Sequence, residues 1–284
     1  VIVKEINARS ILTRSGLPGC DFSANPYRGC PHACLYCYAS YMAKFTASQA
    51  PWGEFLDIKN WPEIKNPQKY AGKTIFIGSA TDPYCPQEAT ALRTRRLLLQ
   101  LKDSGARLSI LTKSDLILRD LDLLKTIPGI RAGLSINTLS EEIRAQTDRA
   151  SRIERRLEAL KILHEAGVRT FCFIAPVLPG ISDPRAVIKA LGNSAGAVWL
   201  DRLNLRGRWR DGVIAWVRQM RPDLSGLYAE IYERGSQDYW LRQDLEIAEF
   251  CRGQGLEFSH TDDGALRPWS APPIVTSYLA RASV

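Results

Sequence analysis

RLSILTKSDLILRDLDLLKTIPGIRAGLSINT, residues 107–138, holds one unit of a pattern that recurs along the chain. A β-rich run (Arg107–Lys113) leads through an amphipathic stretch (Leu116–Thr126) to a second β-rich run (Arg131–Thr138). The alternation continues outward. Upstream stand TIFIGSA (Thr74–Ala80) and the helix-like Glu88–Ser104. Downstream stand the helix-like Ser151–Ala166, then TFCFIAPV (Thr170–Val177), Pro184–Leu191 and AVWLDRLNL (Ala197–Leu205). Most of the β-rich runs are nearly continuous in apolar residues, as parallel strands covered on both faces are. Gly105 and Gly167 stand just past two helix ends, where a left-handed residue closes a helix. Asp183 and Pro184 supply a capping side chain and a first-turn proline. Such alternation implies right-handed βαβ units and the α/β class. Five strands from Thr74 onward, with a first strand near Phe22–Arg28, make a (βα)6 partial TIM-type barrel; a doubly wound open sheet is the other arrangement. In both, ligands belong at the carboxyl ends of the strands.

Two regions break the pattern. Residues 41–73 are rich in Trp, Pro and Lys and read as a long insert. Residues 206–284 carry basic residues between Arg206 and Arg221, then aromatics, then a Pro-rich tail, and read as last helices plus a cover. A chain of 284 residues can bury a proper core. No apolar run reaches the roughly 20 residues of a membrane helix, so no membrane partner is expected. No secretory leader is visible, and seven cysteines, an odd number, do not make a secreted disulfide framework. The expectation is a cytoplasmic, reducing environment. A net charge of +8 favours anionic partners: nucleic acid, phosphates or a carboxylate-bearing ligand.

Three of the cysteines fall within NPYRGCPHACLYCY (Asn25–Tyr38), as C-x3-C-x2-C. Cys34 and Cys37 share a face if a helix starts there, and Gly29 permits a tight turn before Cys30. Three thiolates from one short loop suit an iron–sulfur cluster with one iron left open. Zinc is the rival, with His32 or Cys20 as fourth ligand. Structural zinc sites usually pair two such knuckles, and the sequence has no second one.

With Tyr36 before its last cysteine, the motif resembles the radical S-adenosylmethionine (SAM) superfamily. Further segments, ILTRSGLPGCD (Ile11–Asp21), PWGEF (Pro51–Phe55), GSATDPYCP (Gly78–Pro86), ILTKSD (Ile110–Asp115), LSINT (Leu134–Thr138) and VLPGISD (Val177–Asp183), are similar to its spore photoproduct lyase-like branch. The resemblance covers roughly residues 5–205. It implies a radical SAM core over 1–205, with 206–284 packed on the same domain. It implies a [4Fe-4S] cluster on Cys30, Cys34 and Cys37, SAM as second cofactor, and an electron donor such as flavodoxin or ferredoxin.

The resemblance also assigns SAM contacts. Lys113 stands where the family has a SAM-contacting lysine, and a lysine buried near a barrel mouth needs an anion such as the SAM carboxylate; pairing with Asp115 is the alternative. Ser135 matches a SAM-binding serine, and Asn137 shares its face of the strand. Ser79, Thr81 and Asp82 stand where the SAM amino group binds, although Asp82-Pro83 also reads as a turn. Pro176 to Gly180 and Tyr36 belong beside adenine. The cysteine that returns a hydrogen atom in spore photoproduct lyase falls near Ala80, which cannot donate one. Cys85, five residues on, and Tyr84 are the catalytic candidates in its place. Glu88, Arg202, Asn204 and Arg206 are candidate substrate contacts. Arg202 and Asn204 share a strand face and an arginine there can clamp a phosphate or carboxylate; a salt bridge from Arg202 to Asp201 or a neighbouring helix is the alternative. Three functions follow: a radical SAM enzyme on a small-molecule or nucleotide-like substrate, one on DNA or RNA, or a non-enzymatic zinc-binding module.

Overall fold

The computed structural model describes residues 1–17, 19–46, 48–262 and 265–266; the Pro-rich tail lies outside the described residues. In chain order the strands are β1 (Ile2–Asn7), β2 (Leu12–Arg14), β3 (Phe22–Ala24), β4 (Tyr27–Arg28), β5 (Phe55–Asn60), β6 (Thr74–Ile77), β7 (Arg107–Thr112), β8 (Arg131–Ser135), β9 (Arg169–Val177), β10 (Ala197–Arg202), β11 (Glu257–Asp262) and β12 (Ala265–Leu266). The α-helices are α1 (Glu88–Ala91), α2 (Arg93–Leu101), α3 (Leu121–Leu124), α4 (Glu141–Thr147), α5 (Ile153–Glu165), α6 (Pro184–Leu191), α7 (Arg210–Met220), α8 (Ser225–Tyr232) and α9 (Asp238–Gly253).

The main sheet has the order β12-β11-β10-β9-β8-β7-β6-β3-β2. Every pairing from β3 to β11 is parallel. β2 and β12 close the two ends antiparallel and do not pair with each other, so the barrel is partial. Sequential parallel strands with intervening helices are the expected α/β architecture. The parallel strands number seven rather than six, because β11, after α9, joins β10. EFSHTD has a single strongly apolar residue, Phe258, so its pattern gave no strand signal. The expected first strand divides: Phe22–Ala24 joins the barrel, while Tyr27–Arg28 enters a second sheet of order β1-β5-β4. The insert at 41–73 supplies that sheet's central strand, β5.

Outward side chains of the parallel strands, among them Ile75, Ile77, Leu108, Ile110, Leu134 and Ile174, pack on apolar faces of the helices. Each fully buried side chain of this kind contributes about 1.5–3 kcal/mol. Inside the barrel, Phe76, Phe171 and Trp199 fill the space with Leu111, Phe173 and Cys20. Apolar packing on both faces explains the continuous apolar runs.

Two expected helices are broken. Glu88–Ser104 divides at Leu92 (φ 55°) into α1 and α2. There the Glu88 carboxylate accepts hydrogen bonds from the first N–H groups of α2, Thr94 (3.0 Å) and Arg95 (3.3 Å). Leu116–Thr126 forms a 3-10 helix (Asp115–Asp120) and then α3. α6 has the expected limits, with Asp183 capping it through Ala186 N. No helix among the described residues is long and apolar enough to cross a membrane.

Candidate active site

The three cysteines lie between β4 and a 3-10 helix (Tyr38–Phe45). No helix begins at Cys34, contrary to the spacing argument. Instead each cysteine carbonyl accepts a hydrogen bond three residues on: Cys30 from Ala33 N (3.2 Å), Cys34 from Cys37 N (3.1 Å) and Cys37 from Ser40 N (3.2 Å). Three consecutive turns thus bring the thiols onto one short loop. The loop packs closely on the strand behind it. Gly29 has φ +87°, and a Cβ there would collide with the Phe55 carbonyl and stand 2.8 Å from its ring. Gly53, at φ +98°, leaves room for Ala33, whose Cβ would be 2.6 Å from a Cβ at that position.

All three cysteines are free thiols, Cys30 buried and the others half-buried. Burial pushes each of the three thiols above its ordinary value, and Cys30 is raised further by Asp82, Cys34 and Cys37. Such thiols ionise only with compensating positive charge, which a bound metal supplies. Among the described residues, no three Cys, His, Asp or Glu side chains surround one metal-ion position. The donor set, three free thiols on one loop, fits the cluster. The two residues offered as a fourth zinc ligand have partners of their own. His32 Nε2 lies 3.2 Å from Asp82 Oδ2, and the Cys20 thiol donates to Phe22 O (2.9 Å).

Asp82 closes the next layer. Its carboxylate accepts from Thr112 Oγ1 (2.5 Å), Lys113 N (2.7 Å) and Tyr84 N (2.8 Å). Burial pushes its pKa up, but His32 and these hydrogen bonds outweigh burial and hold it below the ordinary value. Ser79 and Thr81 are latched by Asn25, whose amide donates to Ser79 Oγ (2.9 Å) and accepts from Ala80 N (2.9 Å) and Thr81 N (3.3 Å). Asn25 was not among the expected site residues.

Lys113, just past β7, turns into the barrel rather than to Asp115. Its ammonium donates to Tyr36 Oη (2.9 Å) and to Asp148 Oδ2 (3.2 Å). Asn137 Nδ2 donates to Tyr36 Oη and to Pro176 O, both at 3.3 Å, and Ser135 Oγ donates to Ala175 O (3.3 Å). Asp148 is also held by Arg156 (2.7 Å), a fully buried guanidinium. Tyr36, Lys113, Asn137 and Pro176, expected separately from sequence, therefore form one polar network beside the cysteine loop, with Ser135 alongside. Asp148 and Arg156 were missed. They follow α4, itself unread, although Ser140 with Glu141 and Glu142 is a helix-start signal.

The remaining candidates lie elsewhere. Tyr84 and Cys85 are fully buried. Tyr84 donates to Asp120 (3.1 Å), and Cys85 packs with Tyr27, Leu56 and Ile58, its thiol pushed up by burial. Glu88 is buried and pairs with Arg119 (2.6 Å) besides capping α2. Arg202 pairs with Asp244 (2.5 Å) of α9, the salt bridge to a neighbouring helix. Asn204 and Arg206 are exposed, the Asn204 side chain accepting from Arg206 N (2.9 Å). Gly180 turns outward: its N–H donates to Tyr239 Oη and its carbonyl accepts from Arg221.

A family model described as the radical SAM superfamily matches residues 24–189. The chain belongs to that superfamily. It is an enzyme, which overturns the reading as a non-enzymatic zinc module. An uncharacterized protein of Methanocaldococcus jannaschii is 34% identical over 231 residues, 81% of this chain and 85% of the relative. An uncharacterized protein of Mycobacterium tuberculosis is 28% identical, over 75% of this chain and 68% of the relative. In fold the radical SAM core is similar to spore photoproduct lyase. A structure of that lyase complexed with dinucleoside spore photoproduct matches at TM-score 0.54 and 15% identity, over 78% of this chain and 66% of the lyase chain. A variant of the lyase with bound AdoMet and the dinucleoside matches at TM-score 0.53 and 14% identity, with the same coverage.

Proposed function

We propose that this radical SAM enzyme holds a [4Fe-4S] cluster on Cys30, Cys34 and Cys37 and cleaves SAM reductively to abstract hydrogen from a small-molecule or nucleotide-like substrate. The observation that carries this reading is the placement of the buried Lys113–Tyr36–Asn137 network directly against the loop of three free thiols. Held on Cys30, Cys34 and Cys37, such a cluster would supply the electron for reductive cleavage of SAM, and SAM would supply the hydrogen-abstracting group. The chain's own part is to bind and orient. Lys113 is a largely buried cation suited to the SAM carboxylate. Tyr36, Ser135, Asn137 and the Pro176 carbonyl offer polar groups to ribose and adenine. Asp82 fixes the end of β7 and so aims Lys113, rather than meeting the amino group itself. Reconstitution without oxygen tests the ligand set. About four irons and four sulfides per chain are expected, and fewer in each single Cys→Ala variant. Zinc without acid-labile sulfide overturns it.

One observation favours nucleic acid as substrate. The exposed aromatic rings among the described residues are Tyr38 (52%), Tyr41 (48%) and Phe45 (63%), all on the 3-10 helix after Cys37. Lys44 lies over two of them. Stacked bases and a cationic groove bind single strands in this way. On this reading a labelled single-stranded oligonucleotide binds with steep salt dependence, and Tyr41→Ala with Phe45→Ala weakens it about tenfold or more. No binding at low salt leaves the small-molecule reading.

A further inference from the structure

Asp148 carries an inference beyond that assignment. α4 ends at Thr147, whose carbonyl accepts from Leu35 N (2.8 Å), and Arg149 N donates to His32 O (2.7 Å). Two backbone hydrogen bonds therefore clamp the neighbours of Asp148 onto the cysteine loop, one on each side. The carboxylate between them is fully buried. One oxygen accepts from Arg156 (2.7 Å) and Ala150 N (3.1 Å); the other accepts from Lys113 (3.2 Å) and Tyr36 (3.4 Å). Arg156 gives its other N–H groups to Ser151 O (2.7 Å) and Ser135 O (3.1 Å). Two cations thus share one carboxylate. The trio keeps a net charge of +1, with Asp148 and Arg156 fully buried and Lys113 largely so, and such a charge calls for an anion.

We propose that Asp148 is a positioning residue that holds the Lys113 ammonium against Tyr36 and sets at +1 the charge of the Lys113–Asp148–Arg156 trio beside the cluster. This rests on the cluster and SAM assignment above. Reduction adds one negative charge to the cluster, so positive charge nearby favours the reduced form. Asp148→Asn raises the trio to +2, and Lys113→Gln lowers it to zero.

The test is the midpoint potential of the reconstituted cluster, followed by electron paramagnetic resonance, in wild type and both variants. The expected result is opposite shifts: upward for Asp148→Asn, downward for Lys113→Gln. Equilibrium dialysis should also show SAM bound at least about tenfold more weakly by Lys113→Gln, as loss of a charged hydrogen bond implies. Shifts in the same direction, or none with the cluster intact, overturn the proposal, since a merely structural residue would not give opposite signs. If Asp148→Asn does not fold, Lys113→Gln decides alone: a lower potential supports the proposal, and an equal or higher one overturns it. A wild type that assembles no iron–sulfur cluster overturns the proposed function, and this inference with it.

Discussion

A few buried charges hold the residues of the site in place. Asp148→Ala leaves the Arg156 guanidinium buried without its carboxylate. Breaking a buried pair in this way costs about 3–5 kcal/mol, so the urea midpoint should fall sharply. Acid gives a finer check. Burial raises the Asp148 pKa, but Lys113 and Arg156 outweigh it and pull the group from 3.8 down to about 2. A depressed carboxylate stabilises the fold above its unfolded pKa, and that stability is lost as pH falls through the folded value. Wild type should therefore lose roughly 2 kcal/mol relative to Asp148→Asn between about pH 4 and pH 2. Equal acid slopes in the two proteins would contradict the pairing. This pair could not be read from the sequence, because TDR at 147–149 matches no motif and Asp148 meets Lys113 only through the barrel. The cysteine spacing and the end of β7 were legible, since those signals are local. The burial of Cys85 and Glu88 was not legible, since closeness in sequence to Ala80 does not say which way a side chain turns after a tight bend.

Elements carry the next level. The cysteine loop depends on two glycines rather than on a helix. Gly29→Ala places a Cβ against Phe55 at a positive φ. The expected outcome is about 1–3 kcal/mol of destabilisation from the backbone strain, with further cost from the collision and lower iron content after reconstitution. Unchanged iron and stability would mean the loop is held otherwise. Gly133, in β8, meets the Phe171 ring where its Cβ would be. Gly133→Ala should cost about 1–3 kcal/mol by overpacking the barrel interior, read by thermal unfolding. The continuous apolar runs made β6 to β10 legible. β11 and α4 were not, because a strand with one large apolar residue and a helix of seven residues leave little periodicity. The break at Leu92 was equally hidden, since it is set by Glu88 reaching across to the first N–H groups of α2.

The whole molecule is an open barrel whose last parallel strand comes from the C-terminal segment. The sequence reading packs 206–284, as helices and a cover, on the same domain as 1–205; in the structure β11 pairs with β10 and Asp244 of α9 meets Arg202. Residues 1–205 alone should therefore lose cooperative unfolding and resist proteolysis poorly; a stable, cooperative fragment would contradict the joint sheet. The barrel brings the cysteine loop, Lys113 and Asn137 from three distant stretches to one place, and it is this convergence that reductive SAM cleavage requires. The most direct test is to reconstitute the enzyme without oxygen, add dithionite and SAM, and quantify 5'-deoxyadenosine in wild type and Cys34→Ala. Formation by wild type, abolished in the variant, is the expected result. An intact cluster and bound SAM that yield no 5'-deoxyadenosine, or equal yields from both proteins, would contradict the account.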